Sequence, residues 1–143
     1  MPEGYADTTG EHYRQYRASV LYWVDYFRLA GWSISVERAR IDGDWSQLAY
    51  DIPNRSAVFS WTRSYPMDYS CELDPIKFGF HEVCELMLAR LGSLARSREA
   101  TIRAIDEEIH NIIRCLENSV LRYAEADYGP YLNVEETTDG RRS

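Results

Sequence analysis

Leu29-Ala30-Gly31-Trp32-Ser33-Ile34-Ser35-Val36-Glu37 is the stretch in which the chain changes its period. Before it, Tyr13, Tyr16, Val20, Val24 and Phe27 recur at three- and four-residue steps, which predicts an amphipathic helix from about Gly10 to Ala30. Gly31 is a suitable stop, because glycine enters the left-handed conformation without a Cβ penalty. After it, Trp32, Ile34 and Val36 alternate with Ser33, Ser35 and Glu37, the two-residue period of a strand. Asp42-Gly43-Asp44 reads as a turn, Trp45 to Ile52 as a second strand, Pro53-Asn54-Arg55-Ser56 as another turn, and Ala57 to Thr62 as a third strand. Connections this short predict an antiparallel meander, since a parallel crossover needs about a dozen residues.

The helical period returns at Pro75, with Asp74 as its cap. Ile76, Phe80, Val83, Met87 and Leu91 form its apolar stripe, and Gly92 weakens or ends it. Another helix is expected from about Ser97 to Ala124, striped by Ile102, Ile105, Ile109, Ile112, Ile113, Leu116 and Val120. Residues 64–74 read as a loop. The expected fold class is α+β: an N-terminal helix, a small three-stranded antiparallel sheet and two long C-terminal helices. The expected division is a flexible N-terminus over residues 1–9, one domain over 10–124 and a flexible acidic tail over 125–143.

Composition narrows the function. The chain has 143 residues and a net charge of -7, with no basic face in sequence for gripping nucleic acid. No apolar run approaches the roughly 20 residues of a membrane span, and the N-terminus lacks the pattern of a signal peptide. Three cysteines, Cys71, Cys84 and Cys115, without a C-x-x-C pair, suit a reducing compartment rather than a disulfide framework. The expectation is a cytoplasmic protein with a protein or peptide partner, no nucleic acid and no membrane. The tryptophans and tyrosines read as core rather than as a ligand platform.

The chemically suggestive segment is His81-Glu82-Val83-Cys84-Glu85. Residues four apart on a helix share a face, so His81 and Glu85 are spaced as two metal ligands, with Glu82 where a zincin keeps its general base. Zinc chemistry uses that arrangement because two donors on one turn and a third from elsewhere leave an open position for water, whose proton the glutamate takes. Glu85 stands where the H-E-x-x-H pattern has its second histidine; a carboxylate also ligates zinc but adds negative charge. The same residues also read as a solvated helix face.

In order along the chain, Leu29–Ile34, Tyr50–Ala57, His81-Glu82-Val83-Cys84-Glu85-Leu86-Met87-Leu88 and His110-Asn111-Ile112-Ile113-Arg114-Cys115-Leu116-Glu117-Asn118 resemble segments of small phage- and prophage-encoded metallopeptidase-like proteins, similar in style to minimal SprT-like zincins. The resemblance spans roughly residues 20–122. It implies a zinc cofactor, peptide-bond hydrolysis with Glu82 as catalytic base, a third ligand from the last helix, and a host-cell cytoplasmic location. The departure at Glu85 implies a diverged member with weak or absent peptidase activity.

Two residues compete for the third position. At about 100° per residue, Glu108 lies about 90° to one side of the stripe and His110 about 110° to the other, so both cannot reach one metal. His110 is favoured, because Asp106 and Glu117 share its flank and could orient the imidazole. The metal set read from sequence is therefore His81, Glu85 and His110. Tyr65 and Tyr69, in the loop before the helix, are candidates for stabilising an oxyanion. The alternative function is a non-catalytic acidic protein-binding module, such as a phage-encoded inhibitor of a host protein.

Overall fold

The computed structural model describes residues 4–67 and 73–124. The order is β1 (Tyr5–Asp7), α1 (Gly10–Tyr26), β2 (Ser33–Ala39), β3 (Ser46–Asp51), β4 (Ser56–Thr62), β5 (Ser64–Pro66), α2 (Pro75–Arg96) and α3 (Ile102–Leu116). A π turn over Glu117–Leu121 carries α3 into a last short turn, Arg122–Ala124. The fold is α+β, as expected.

Helix α1 starts on Thr9, which accepts from the His12 amide while its own amide donates to His12 Nδ1. It ends earlier than Gly31. The Arg28 amide donates to the Asp25 carbonyl and the Leu29 amide to the Val24 carbonyl, the paired bonds of a Schellman close. Arg28 itself takes the left-handed position, at φ 58°.

The expectation of a purely antiparallel sheet is corrected. The strand order is β2-β4-β3, with β3 antiparallel to β4 but β2 parallel to it. The rule that a parallel connection must be long is obeyed, because residues 40–55, including β3 itself, form the return path from β2 to β4. β4 is the central strand, which explains its nearly continuous burial from Ala57 to Thr62. Among the described residues β3 has one unpaired edge.

A second correction concerns the chain start. Tyr5–Asp7, expected to be flexible, pairs antiparallel with β5, inside the segment expected to be loop. Thr8 fastens this ribbon to the main sheet: its amide donates to the Arg63 carbonyl at 2.8 Å and its hydroxyl to the Thr62 carbonyl at 2.7 Å. Arg38 donates to Thr8 from the other side. The tail over 125–143 lies outside the described residues.

Tyr16, Val20, Phe59, Trp61, Val83 and Leu86 are the centre of the core, with the Tyr16 and Trp61 rings 5.2 Å apart. Helices α1 and α2 pack closely because Gly79 brings no side chain: a Cβ there would lie 2.6 Å from Ser19 Oγ and 2.7 Å from Ser19 Cβ. Ser19 uses the proximity to donate to the Ile76 carbonyl at 2.7 Å. Helix α2 runs through Gly92 rather than ending there.

The stripe of α3 docks by its flank. Glu108 and Ser119 are buried, whereas Ile109, Ile113, Leu116 and Val120 remain exposed and Ile102 is 80% exposed. Helix α2 shows the same rotation, burying Gly79, Val83, Leu86 and Ala89 while Ile76 and Phe80 stay exposed. No helix among the described residues is long and apolar enough to cross a membrane.

Candidate functional site

Helix α2 carries His81, Glu82 and Glu85 along one wall of a cleft of about 640 Å³. The opposite wall is β3, through Ser46, Gln47 and Leu48, and the rim includes Asp44, Asp74 and Lys77. The three motif residues therefore share one site, but it faces the sheet edge rather than α3.

Glu82 is the buried member, only 6% exposed. Ser46 Oγ donates to its Oε1 at 2.5 Å. Burial pushes its pKa from the ordinary 4.5 up to about 7; the Ser46 hydrogen bond pulls it partly back, the Glu85 carboxylate raises it again and His81 lowers it. A carboxyl that titrates near neutrality, in a cleft, can take or give a proton under physiological conditions. The Tyr16 hydroxyl is buried against the same pair. Burial, followed by the Glu82 charge, holds its pKa far above the usual range.

His81 and Glu85 sit at the cleft mouth, both largely exposed, with His81 Nε2 3.3 Å from Glu85 Oε1. One face of that pair could accept a cation. A catalytic zinc requires three protein donors and an open position. Among the described residues no group of three His, Cys, Asp or Glu side chains is arranged to hold a metal. The described residues thus offer two of the three donors and do not by themselves fit such a centre.

His110 does not line this cleft. It is exposed on α3, where its Nδ1–H donates to the Asp106 backbone carbonyl at 2.8 Å, so a carbonyl rather than a carboxylate orients the ring. Glu108, the competing third ligand, is only 8% exposed and lines a different cavity, between α2 and α3. It accepts from the Asn111 side-chain Nδ2 at 3.3 Å. Tyr65 belongs to β5, its ring 5.3 Å from that of Trp45, and lines a separate cavity with Tyr5 and Ile41. Tyr69 and Cys71 lie outside the described residues. Cys84 is half-buried against the core, and burial pushes its thiol pKa up.

Ser46 is the hydrogen-bond partner of Glu82 that sequence reasoning missed. Its only sequence signal is a hydroxyl at the start of a strand, which is commonplace. Its role depends on β3 crossing to the far edge of the sheet, beside α2.

No protein-family model matches the chain, and no curated protein or solved structure is significantly similar to it.

Proposed function

We propose that this chain is a diverged minimal zincin-like protein whose cleft between α2 and β3 holds an extended segment of a protein partner without appreciable hydrolysis. The observation that carries the reading is the edge of β3, unpaired among the described residues, which borders the cleft containing His81, Glu82 and Glu85. A free strand edge offers backbone donors and acceptors to an added strand. Asp44, Asp74, Glu82 and Glu85 around it favour a segment bearing Lys or Arg. Zinc enters this reading as a weak ligand of His81 and Glu85, two donors being too few for a tightly held catalytic ion.

A second reading is favoured by Glu82. A buried carboxyl titrating at about 7 and lining a cleft is suited to general-base work, so the rival reading is a peptidase with Glu82 as its base.

One experiment separates the two. Lys-rich extended peptides and unfolded casein are incubated with the wild type and with Glu82→Gln, with and without added zinc, and both binding and cleavage are followed. The binding reading expects peptide binding by both proteins and cleavage by neither. Zinc-dependent cleavage that disappears in Glu82→Gln restores the peptidase. Absence of peptide binding, with no cleavage, sinks both. Metal analysis of protein purified without chelator, repeated on His81→Ala, tests the zinc ligand directly.

A further inference from the structure

On the other side of α2 lies a cavity of about 300 Å³, lined by residues that include Arg28, Arg55, Arg90, Trp32, Glu108 and Asn111. Arg55, Arg90 and Glu108 also line an adjoining cavity of about 440 Å³. The three arginines come from separate parts of the chain: the close of α1, the β3–β4 turn and the middle of α2.

Like Arg17, Arg96, Arg98, Arg114 and Arg122, they have no ion-pair partner among the described residues; what sets them apart is that all three line one cavity. Arg14, Arg40 and Arg103 pair with nearby carboxylates, and Arg38 and Arg63 donate hydrogen bonds. Among the described residues, Arg28, Arg55 and Arg90 have no carboxylate within ion-pair distance. Three guanidinium groups thus line one cavity without a carboxylate partner among the described residues, Arg28 and Arg55 exposed and Arg90 half-buried, in a chain of net charge -7.

The backbone adds an independent observation. Arg28 at φ 58° and Arg55 at φ 50° are the only non-glycine residues with positive φ among the described residues. Glycine or asparagine would hold either position with less strain. Both strained positions carry arginine, and both arginines line this cavity. Arg55 is also placed closely: a Cβ on Gly31 would lie 3.1 Å from its Nη1, so the guanidinium packs against bare backbone.

We propose that this cavity is a binding site for a phosphate group, with Arg28, Arg55 and Arg90 as its ligands. The planar guanidinium fork matches a phosphate oxygen pair, and three of them can surround a tetrahedral anion. Charge selects phosphate over a carboxylate. Three cations and the Glu108 carboxylate leave an excess of two positive charges, matching a phosphate dianion. Service to Glu108 alone would need one arginine in contact with it, and none lies within ion-pair distance.

The test is isothermal titration calorimetry at fixed ionic strength in chloride, with inorganic phosphate, phenyl phosphate and acetate as probes. Saturable binding of the two phosphates, with acetate weaker by about tenfold or more, is expected. Equal affinities for the two phosphates identify the free ion as ligand; tighter binding of phenyl phosphate identifies a phosphomonoester whose body rests against Trp32. Arg55→Ala, Arg90→Ala and Arg28→Gly should each weaken binding by about tenfold, the size of one charge-assisted hydrogen bond. Glu108→Gln should tighten it severalfold by removing a like charge. The Arg28→Gly variant suits the left-handed backbone, so its loss of binding cannot be put down to misfolding. Absence of saturable phosphate binding overturns the site. Binding that survives Arg55→Ala and Arg90→Ala unchanged also overturns it.

Discussion

The two sides of α2 each bury a glutamate, and they treat it differently. In the cleft against β3, Glu82 has a neutral hydroxyl as its bonded partner and other acids nearby, so its burial appears as a raised pKa. In the cavity against α3, Glu108 shares its surroundings with three arginines. A carboxylate removed from water is accommodated either by keeping its proton or by gathering positive charge. On the β3 flank of α2 the first solution operates; on the α3 flank the arginines line the cavity without an ion pair to Glu108, which accepts from the Asn111 side-chain amide. The first flank holds a carboxyl that titrates near neutrality; the second holds an excess of cations.

The largest expected effect tests the first half of this contrast. Glu82 titrates at about 7 in the folded chain against 4.5 ordinarily, so below pH 4.5 both states are protonated and its charge costs nothing. As pH rises through that interval the unfolded chain loses the proton first, and above pH 7 the penalty is complete. It amounts to about 3 kcal/mol at most. Glu82→Gln should therefore raise Tm at pH 8 and leave it nearly unchanged at pH 4. An equal gain at both values would assign the effect to packing instead of charge.

Gly79→Ala probes the element that both sides share. The new Cβ would meet Ser19 at 2.6–2.7 Å, and α2 must shift away from α1. The cost should be about 2 kcal/mol, larger than the gain in helix propensity, measured by urea unfolding. A variant as stable as the wild type would show that the helices can separate freely, and that neither cavity has a rigid wall.

Ser46→Ala should cost about 1 kcal/mol by removing the hydrogen bond to a buried carboxyl. Because that bond lowers the Glu82 pKa, its loss should move the titration above 7. Carbon-detected NMR of the Glu82 side chain reads the shift, and a downward movement would contradict the assignment of Ser46 as donor. The smallest effect belongs to the arginine side. Arg28→Gly should stabilise the fold by up to about 1 kcal/mol, because glycine relieves the left-handed strain. A loss of stability would mean that the side chain supports the fold.

Much of the architecture was readable from periodicity. The change of period near Gly31 and its return at Pro75 placed α1, the three main strands and α2. Asp74 behaves as the expected cap, accepting from the Lys77 amide at 3.1 Å. The strand order was not readable, because the direction of β2 against β4 depends on β3 crossing to the far edge. The pairing of Tyr5–Asp7 with Ser64–Pro66 was hidden too, since three-residue strands have no period to detect. Within the candidate site, the spacing of His81, Glu82 and Glu85 correctly puts them on one wall. Which face α3 turns inward was misread, because its contact passes through Glu108 and Ser119 rather than the centre of its apolar stripe.

The sequence by itself determined the local units: where helices and strands begin, and that His81, Glu82 and Glu85 lie within one turn of each other. Those follow from bond geometry and side-chain period along the chain. Only the tertiary structure decided what each unit faces. It set Ser46 against Glu82, sent Glu108 to a cavity lined by three arginines, and left His110 outside both. The reason is that a helix with apolar residues on a broad face can dock through more than one flank. The choice is made by fit, here by the bare backbone of Gly79 against Ser19, by the left-handed closes at Arg28 and Arg55, and by the central position of β4.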